Sequence, residues 1–213
     1  LSKKELDKKY EKQNVTLINK KNLFKSIDKN NLVKRQIDFI KNLIDDHYED
    51  PTIKLSKQYE SQHLEFKSTL RTDLDHGGKV PQDTLINSVV KTIGGFCNSS
   101  GGNLLIGVDD KNNIVGIEVD KFKNNDDFLL SLFQQISKRT SPDVMNLHGV
   151  VEVTLHKIEN KTVCNVYVEP TRENIFVKYE NKKHFYKRTG PKTVSLDREE
   201  MINYVMEKEK IYK

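Results

Sequence analysis

Apolar residues recur along this chain in two rhythms, and the change of rhythm falls near residue 58. Between 31 and 48, Val33, Ile37, Ile40, Leu43 and Ile44 are spaced three and four apart, which predicts a helix with one apolar stripe. Asp28 or Asn30 would cap it and Pro51 would stop it. Upstream, Leu6, Tyr10, Leu17 and Phe24 are too sparse to define an element.

Beyond residue 58 the pattern changes. Leu64-Glu65-Phe66-Lys67 alternates as a half-buried strand does. After a polar loop carrying Gly77-Gly78, Asp83 is expected to cap a helix rich in apolar positions up to Cys97, which Ser99-Ser100-Gly101-Gly102 closes. Leu104-Leu105-Ile106-Gly107-Val108 is almost continuously apolar and predicts a central strand. A turn over 109–113 would return a second strand over 114–117 as a hairpin. A helix over 126–137 follows, then paired strands at 150–156 and 162–169, and at 175–179 and 184–188. Ser195 is expected to cap a last helix with Asp197, Glu199 and Glu200 in its first turn. The order predicts an α+β fold: a mixed or antiparallel sheet flanked by helices.

Composition refines this picture. The 213 residues suit one domain (58–213) with an N-terminal helical arm (1–57). The arm holds 14 Lys and Arg against 9 Asp and Glu; the remaining chain is balanced at 22 and 22. A uniformly basic domain is thereby excluded, and a basic arm or a local basic patch remains. The arm reads either as a packing or dimerisation element or as a nucleic-acid contact. No stretch approaches the roughly 20 apolar residues of a membrane span, so no membrane partner is expected. No signal peptide is visible, and the start at Leu1 reads as a fragment. Cys97 and Cys164 sit in apolar contexts as core residues, and a reducing cytoplasm is the expected setting. The six histidines show no zinc-ligand pairing.

Candidate chemistry lies in three places. Glu65 and Lys67 share one face of their strand, with Glu60 nearby; carboxylates beside an ammonium can hold Mg²⁺ or Mn²⁺ and steady a phosphate, although any charged strand face supplies the same pair. Asp109-Asp110 ends the apolar strand, where acid pairs also serve as ordinary turn residues. Residues 178–192 interleave six cations with four rings. Lys178, Lys182, Lys183, Tyr186, Lys187, Arg188 and Lys192 could contact phosphates and bases, or simply guard an exposed hairpin edge.

Together the blocks Glu60-Ser61-Gln62-His63-Leu64-Glu65-Phe66-Lys67, Phe96-Cys97-Asn98-Ser99-Ser100-Gly101-Gly102 with Leu104 to Asp110, and Tyr186-Lys187-Arg188-Thr189-Gly190 resemble the AlbA_2 domain of the Schlafen family and its bacterial stand-alone relatives. Gly94-Gly95 and Cys97 depart from its Ala-rich stretch, a packing difference. The resemblance implies a metal-dependent endoribonuclease acting on tRNA- or rRNA-like RNA. Glu60, Glu65 and Asp110 (or Asp109) would be the metal-binding carboxylates, and Lys67 would stabilise phosphate charge. It implies a toxin or phage-defence setting by company alone. Many bacterial members are assigned only as DNA- or ATP-binding regulators, so a non-catalytic nucleic-acid-binding module is the alternative. An ATP-dependent role is disfavoured, because the chain has no phosphate loop. Schlafen cores join two lobes around RNA, and this chain carries one, so a homodimer would rebuild the groove.

Overall fold

The computed structural model describes residues 34–37, 50–74 and 76–211. The chain divides into two units, Leu1–Glu49 and Asp50–Lys213. In the first, residues 34–37 are helical; the remainder of the helix expected over 31–48, with its caps, lies outside the described residues. Residues 50–57, expected in the arm, belong to the second unit.

Pro51 opens a helix there: it stands at the first position of α1 (Pro51–Ser56), where a missing N–H costs nothing. Asp50 caps α1 by accepting from Thr52 N at 2.7 Å, and its Oδ2 lies 2.6 Å from His156 Nδ1. Then follow β1 (Leu64–Lys67), α2 (Gln82–Asn98), β2 (Gly102–Ile106) and α3 (Asn125–Arg139). After β3 (Thr140–Ser141) come β4 (Val151–Ile158), β5 (Lys161–Val168), β6 (Phe176–Tyr179), β7 (Lys182–Thr189), β8 (Lys192–Leu196) and α4 (Arg198–Ile211).

The strands form two sheets, with orders β1-β2-β5-β4 and β3-β6-β7-β8. Among the described residues the β1–β2 pair alone is parallel; the other pairs are antiparallel. This is the expected α+β class with mixed and antiparallel sheets. β2 is central because both its faces are covered. Leu104 and Ile106 join the main core with Val89, Ile93 and Phe96 of α2 and Leu132 and Ile136 of α3. Leu105 turns to a smaller core of Leu64, Phe66 and Val163, roofed by Ile53 and Leu55 of α1.

α2 is sandwiched between the sheets, and its glycines let the second sheet close on it. A Cβ on Gly94 would stand 2.7 Å from Val177 Cγ2, and one on Gly95 would stand 3.0 Å from Thr193 Cγ2. At the end of α2, Gly101 takes φ +72 with Val168 O where a Cβ would sit, so the turn into β2 requires glycine. α4 covers the outer face of the second sheet, with Tyr204 edge-on to Phe185 and its hydroxyl donating to Asn98 O at 2.8 Å.

Several expectations are corrected. Asp83 does not cap α2: Pro81 holds that position, and Asp83 lies in the first turn paired with Arg139. Residues 114–117 do not form a strand; a single bridge joins Val108 to Ile114, and Asp120 ends a short 3₁₀ turn. Ser195 lies within β8, and Asp197 caps α4 instead, accepting from Glu200 N while Glu200 Oε2 accepts from Asp197 N. That reciprocal pair is a capping box shifted two residues along the chain.

Candidate functional site

Alternation along β1 sends Leu64 and Phe66 to the small core and Glu65 and Lys67 to the opposite face, toward α2 and the second sheet. Glu65 is 8% exposed. Both its oxygens are engaged by cations: Lys67 Nζ donates to Oε1 at 2.5 Å and Arg188 Nη1 donates to Oε2 at 2.7 Å. Arg188 arrives from β7 and also donates to Ser61 O at 2.6 Å and Thr193 Oγ1 at 2.9 Å. Its guanidinium lies 4.9 Å from the Phe96 ring centre.

Glu60 precedes the strand and folds back on it. Its Oε1 accepts from Phe66 N at 2.8 Å, satisfying a donor that edge strand β1 would otherwise leave open. Burial pushes the Glu60 carboxyl above its ordinary value. The Phe66 hydrogen bond and the Lys67 charge oppose this, and the charges of Glu65 and Asp110 add to the rise. Asp110 is exposed beside a cleft of about 280 Å³, which Lys67, Ser68, Thr72, Asp73 and His76 also line. Lys91 of α2 is the third cation of the cluster. Burial lowers its pKa, Lys67 adds to the effect, and Glu65 opposes it.

The loop before α2 hangs on one buried side chain. Asp120 accepts from Leu70 N at 2.8 Å, Arg71 N at 2.9 Å and Thr72 N at 3.0 Å, and so shapes one wall of that cleft. Asp109 serves its own turn. Lys111 N and Asn113 N donate to its Oδ1, and Asn113 Nδ2 donates to Oδ2. Burial would raise its carboxyl, but the bonds from Asn113 and Lys111 outweigh that and hold it below the ordinary value.

Both Glu65 oxygens, expected among the ligands of a divalent ion, already carry cation partners. Among the described residues no group of three His, Cys, Asp or Glu side chains could hold a metal. An ion reaching Glu65 would have to displace Lys67 or strip Arg188 of its counter-charge, and stranding a buried charge is costly. Glu65 is instead neutralised by an ammonium and a guanidinium group.

The basic hairpin divides by face. On β7, Tyr186 and Arg188, expected among the nucleic-acid contacts, turn inward and are 9% and 4% exposed. Lys187 faces α4, with its ammonium 5.0 Å from the Tyr204 ring centre. Lys192 is exposed on β8. Lys178, Lys182 and Lys183 are exposed and, with Lys138 and Arg139 of α3, line a separate cleft of about 450 Å³. Asp83 and Glu180 are the two carboxylates on that lining, and Arg139 occupies the first.

Sequence reasoning missed Lys91, Asp120, Lys138 and Asn98. Asn98, wholly buried at the end of α2, donates from Nδ2 to Ile175 O at 2.8 Å and Tyr186 O at 2.9 Å, and accepts from Ile175 N at 2.9 Å. The available signal was polarity within an apolar helix: Lys91 and Asn98 are the conspicuous polar residues in its last two turns. Both cysteines are buried as expected, and burial pushes the Cys97 thiol up to about 12. Among the described residues no helix is long and apolar enough to cross a membrane.

Comparison with known proteins adds an independent line. The family model described as "Schlafen, AlbA_2" matches residues 60–197. The fold is similar to that of the DIP2311 protein from Corynebacterium diphtheriae, at 21% identity and TM-score 0.47, over 67% of this chain and 23% of that one. It is also similar to the N-terminal domain of a RecG-related protein from Nitrosomonas europaea, at 25% identity and TM-score 0.40, over 68% of this chain and 88% of that one. No curated protein matches the chain.

Proposed function

Because the chain belongs to the Schlafen AlbA_2 family, a nucleic-acid-related one, we propose that it binds RNA, structured RNA such as tRNA above all, through the cleft between α3 and the β6–β7 hairpin. The observation that carries this reading is the convergence of Lys138, Lys178, Lys182 and Lys183 on one cleft of a domain whose basic and acidic residues balance only when these lysines are counted. Lysines there would meet the phosphate backbone and release its counterions, making affinity steeply salt-dependent. The test is binding of total tRNA by fluorescence anisotropy at low and physiological salt, with duplex DNA as comparison. Affinity should fall as salt rises and fall again in Lys182→Gln/Lys183→Gln; no binding at low salt would end the reading. A second copy of the chain would provide a two-lobed groove, and the mass in solution at micromolar concentration decides that point.

Endonucleolytic cleavage is the second reading, favoured by the raised Glu60 carboxyl coupled to Glu65 and Asp110. Breaking a phosphodiester needs a group to take up a proton and a cation facing the phosphate. Glu60 and Lys67 supply those two functions from neighbouring positions. The assay is cleavage of total tRNA with Mn²⁺, with Mg²⁺ and with EDTA, using wild type and Glu60→Gln. Cleavage in EDTA that Glu60→Gln abolishes supports chemistry by these side chains. Cleavage that needs metal requires Glu65 to give up its present partners. Binding without cleavage in every condition leaves a binding module.

A further inference from the structure

In the β6–β7 ladder Lys178 stands directly opposite Lys183, and Tyr179 opposite Lys182. The connection is the two-residue turn Glu180-Asn181, with φ of +49 and +59, the geometry that matches the twist of adjoining strands. The lysines are therefore held at fixed spacing on a short ribbon. Like charges directly opposed across antiparallel strands destabilise the pair. Among the described residues no carboxylate forms an ion pair with Lys138, Lys178, Lys182 or Lys183. Lys183 Nζ reaches the Ser141 hydroxyl at 3.2 Å, a neutral partner. The repulsion is left for a ligand to relieve.

The ligand's charge can be read from the site. Each internal phosphodiester of a nucleic acid carries one negative charge, whereas a phosphomonoester carries about −1.5 to −2 near neutral pH. Around one pocket of about 450 Å³, four ammoniums that have no carboxylate partner among the described residues outnumber the Glu180 carboxylate on the same lining, and the excess is more than a single diester neutralises. The volume suits one nucleotide rather than a long stretch of strand. Tyr179 lines the same pocket, and its hydroxyl lies 3.2 Å from Thr84 Oγ1, which tethers the ring at its hydroxyl end. A fixed ring beside a phosphate site is a stacking platform for a terminal base.

We infer that this cleft takes the phosphorylated end of an RNA strand, with the terminal phosphate among Lys138, Lys178, Lys182 and Lys183 and the terminal base against Tyr179. The inference rests on the RNA-binding reading and names which part of the RNA the cleft holds. It requires the cleft to distinguish a phosphorylated end from a hydroxyl end of the same sequence, a distinction backbone contacts alone would not make.

The experiment compares one short single-stranded RNA carrying a 5′-phosphate, a 3′-phosphate or hydroxyl ends, with AMP as the free-nucleotide competitor, by anisotropy at fixed salt. One phosphorylated form should bind about tenfold tighter than the hydroxyl-ended RNA, a readable difference. Lys182→Gln/Lys183→Gln should erase the preference, and Tyr179→Ala should reduce it. Inorganic phosphate should raise the melting temperature of wild type and not that of Lys178→Gln, in which the opposed charge is gone. Equal affinity for all three RNAs, a preference that survives the double variant, or AMP competing as well as phosphorylated RNA would each overturn the inference. Failure of every RNA to bind would instead overturn the RNA-binding reading beneath it.

Discussion

Arg188 of β7 donates to Glu65 of β1 across 2.7 Å, and this buried ion pair joins the two sheets. The strands that carry these residues are separated by most of the domain in sequence. Glu65→Ala leaves the guanidinium buried without its anion, and removing one partner of a buried pair costs about 3–5 kcal/mol. Urea unfolding of Glu65→Ala should fall within that range, and the Glu65→Ala/Arg188→Met double variant should lose less than the two single losses combined. Additive losses would mean that the two side chains act independently.

Gly94 predicts a packing effect. An added methyl meets Val177 Cγ2 at 2.7 Å, within a helix that contacts sheet on both sides. Gly94→Ala should cost about 1–3 kcal/mol, the range for overpacking a filled core. In Gly94→Ala/Val177→Ala the cost should be smaller than the two single costs together. A neutral Gly94→Ala in a thermal melt would show that the second sheet can move away from α2.

Asn98 satisfies three backbone groups at once, two on Ile175 just ahead of β6 and one on Tyr186 of β7. Asn98→Ala strands those groups in the core, each at about 1–3 kcal/mol before relaxation. Stability should drop by about 3 kcal/mol, and hydrogen exchange of the Ile175 amide should quicken. An unchanged exchange rate would mean that another donor or acceptor replaces the side chain.

Glu60 predicts a pH dependence. Burial raises its folded-state pKa, so the folded protein holds this proton more tightly than the unfolded chain. That contribution is complete below the unfolded value and disappears as pH rises through the folded one. Wild type should therefore lose stability relative to Glu60→Gln as pH climbs from acid toward neutrality, followed by urea titration at several pH values. A difference that is constant with pH would remove Glu60 from the coupled cluster.

The readable parts of this fold were those decided by neighbours in sequence. The continuous apolar run of β2 marks a strand covered on both faces, and the alternation at 64–67 correctly separated Glu65 and Lys67 from the core side chains of β1. The misreadings arose where one local signal fits two structures. Ser195 and Asp197 both offer a capping oxygen ahead of the same carboxylates, and Val194 and Leu196 of β8 look like little more than a lead into the helix. Tyr186 and Arg188 looked like surface groups because cations surround them, yet the two-residue period of β7 turns them inward. Asp120 and Asn98 were invisible as organisers, since their partners lie 48 to 88 residues away. A still longer separation, 123 residues, hides Arg188 from Glu65.

The Asn98 clamp bears on how the protein is made. A ribosome delivers α2 long before Ile175 and Tyr186, the residues that the Asn98 amide binds. Until those strands emerge, the nascent helix ends in an amide exposed to water, and the sheet that should bury it does not yet exist. Closure of the domain around α2 therefore waits on residues made 77 to 88 positions later.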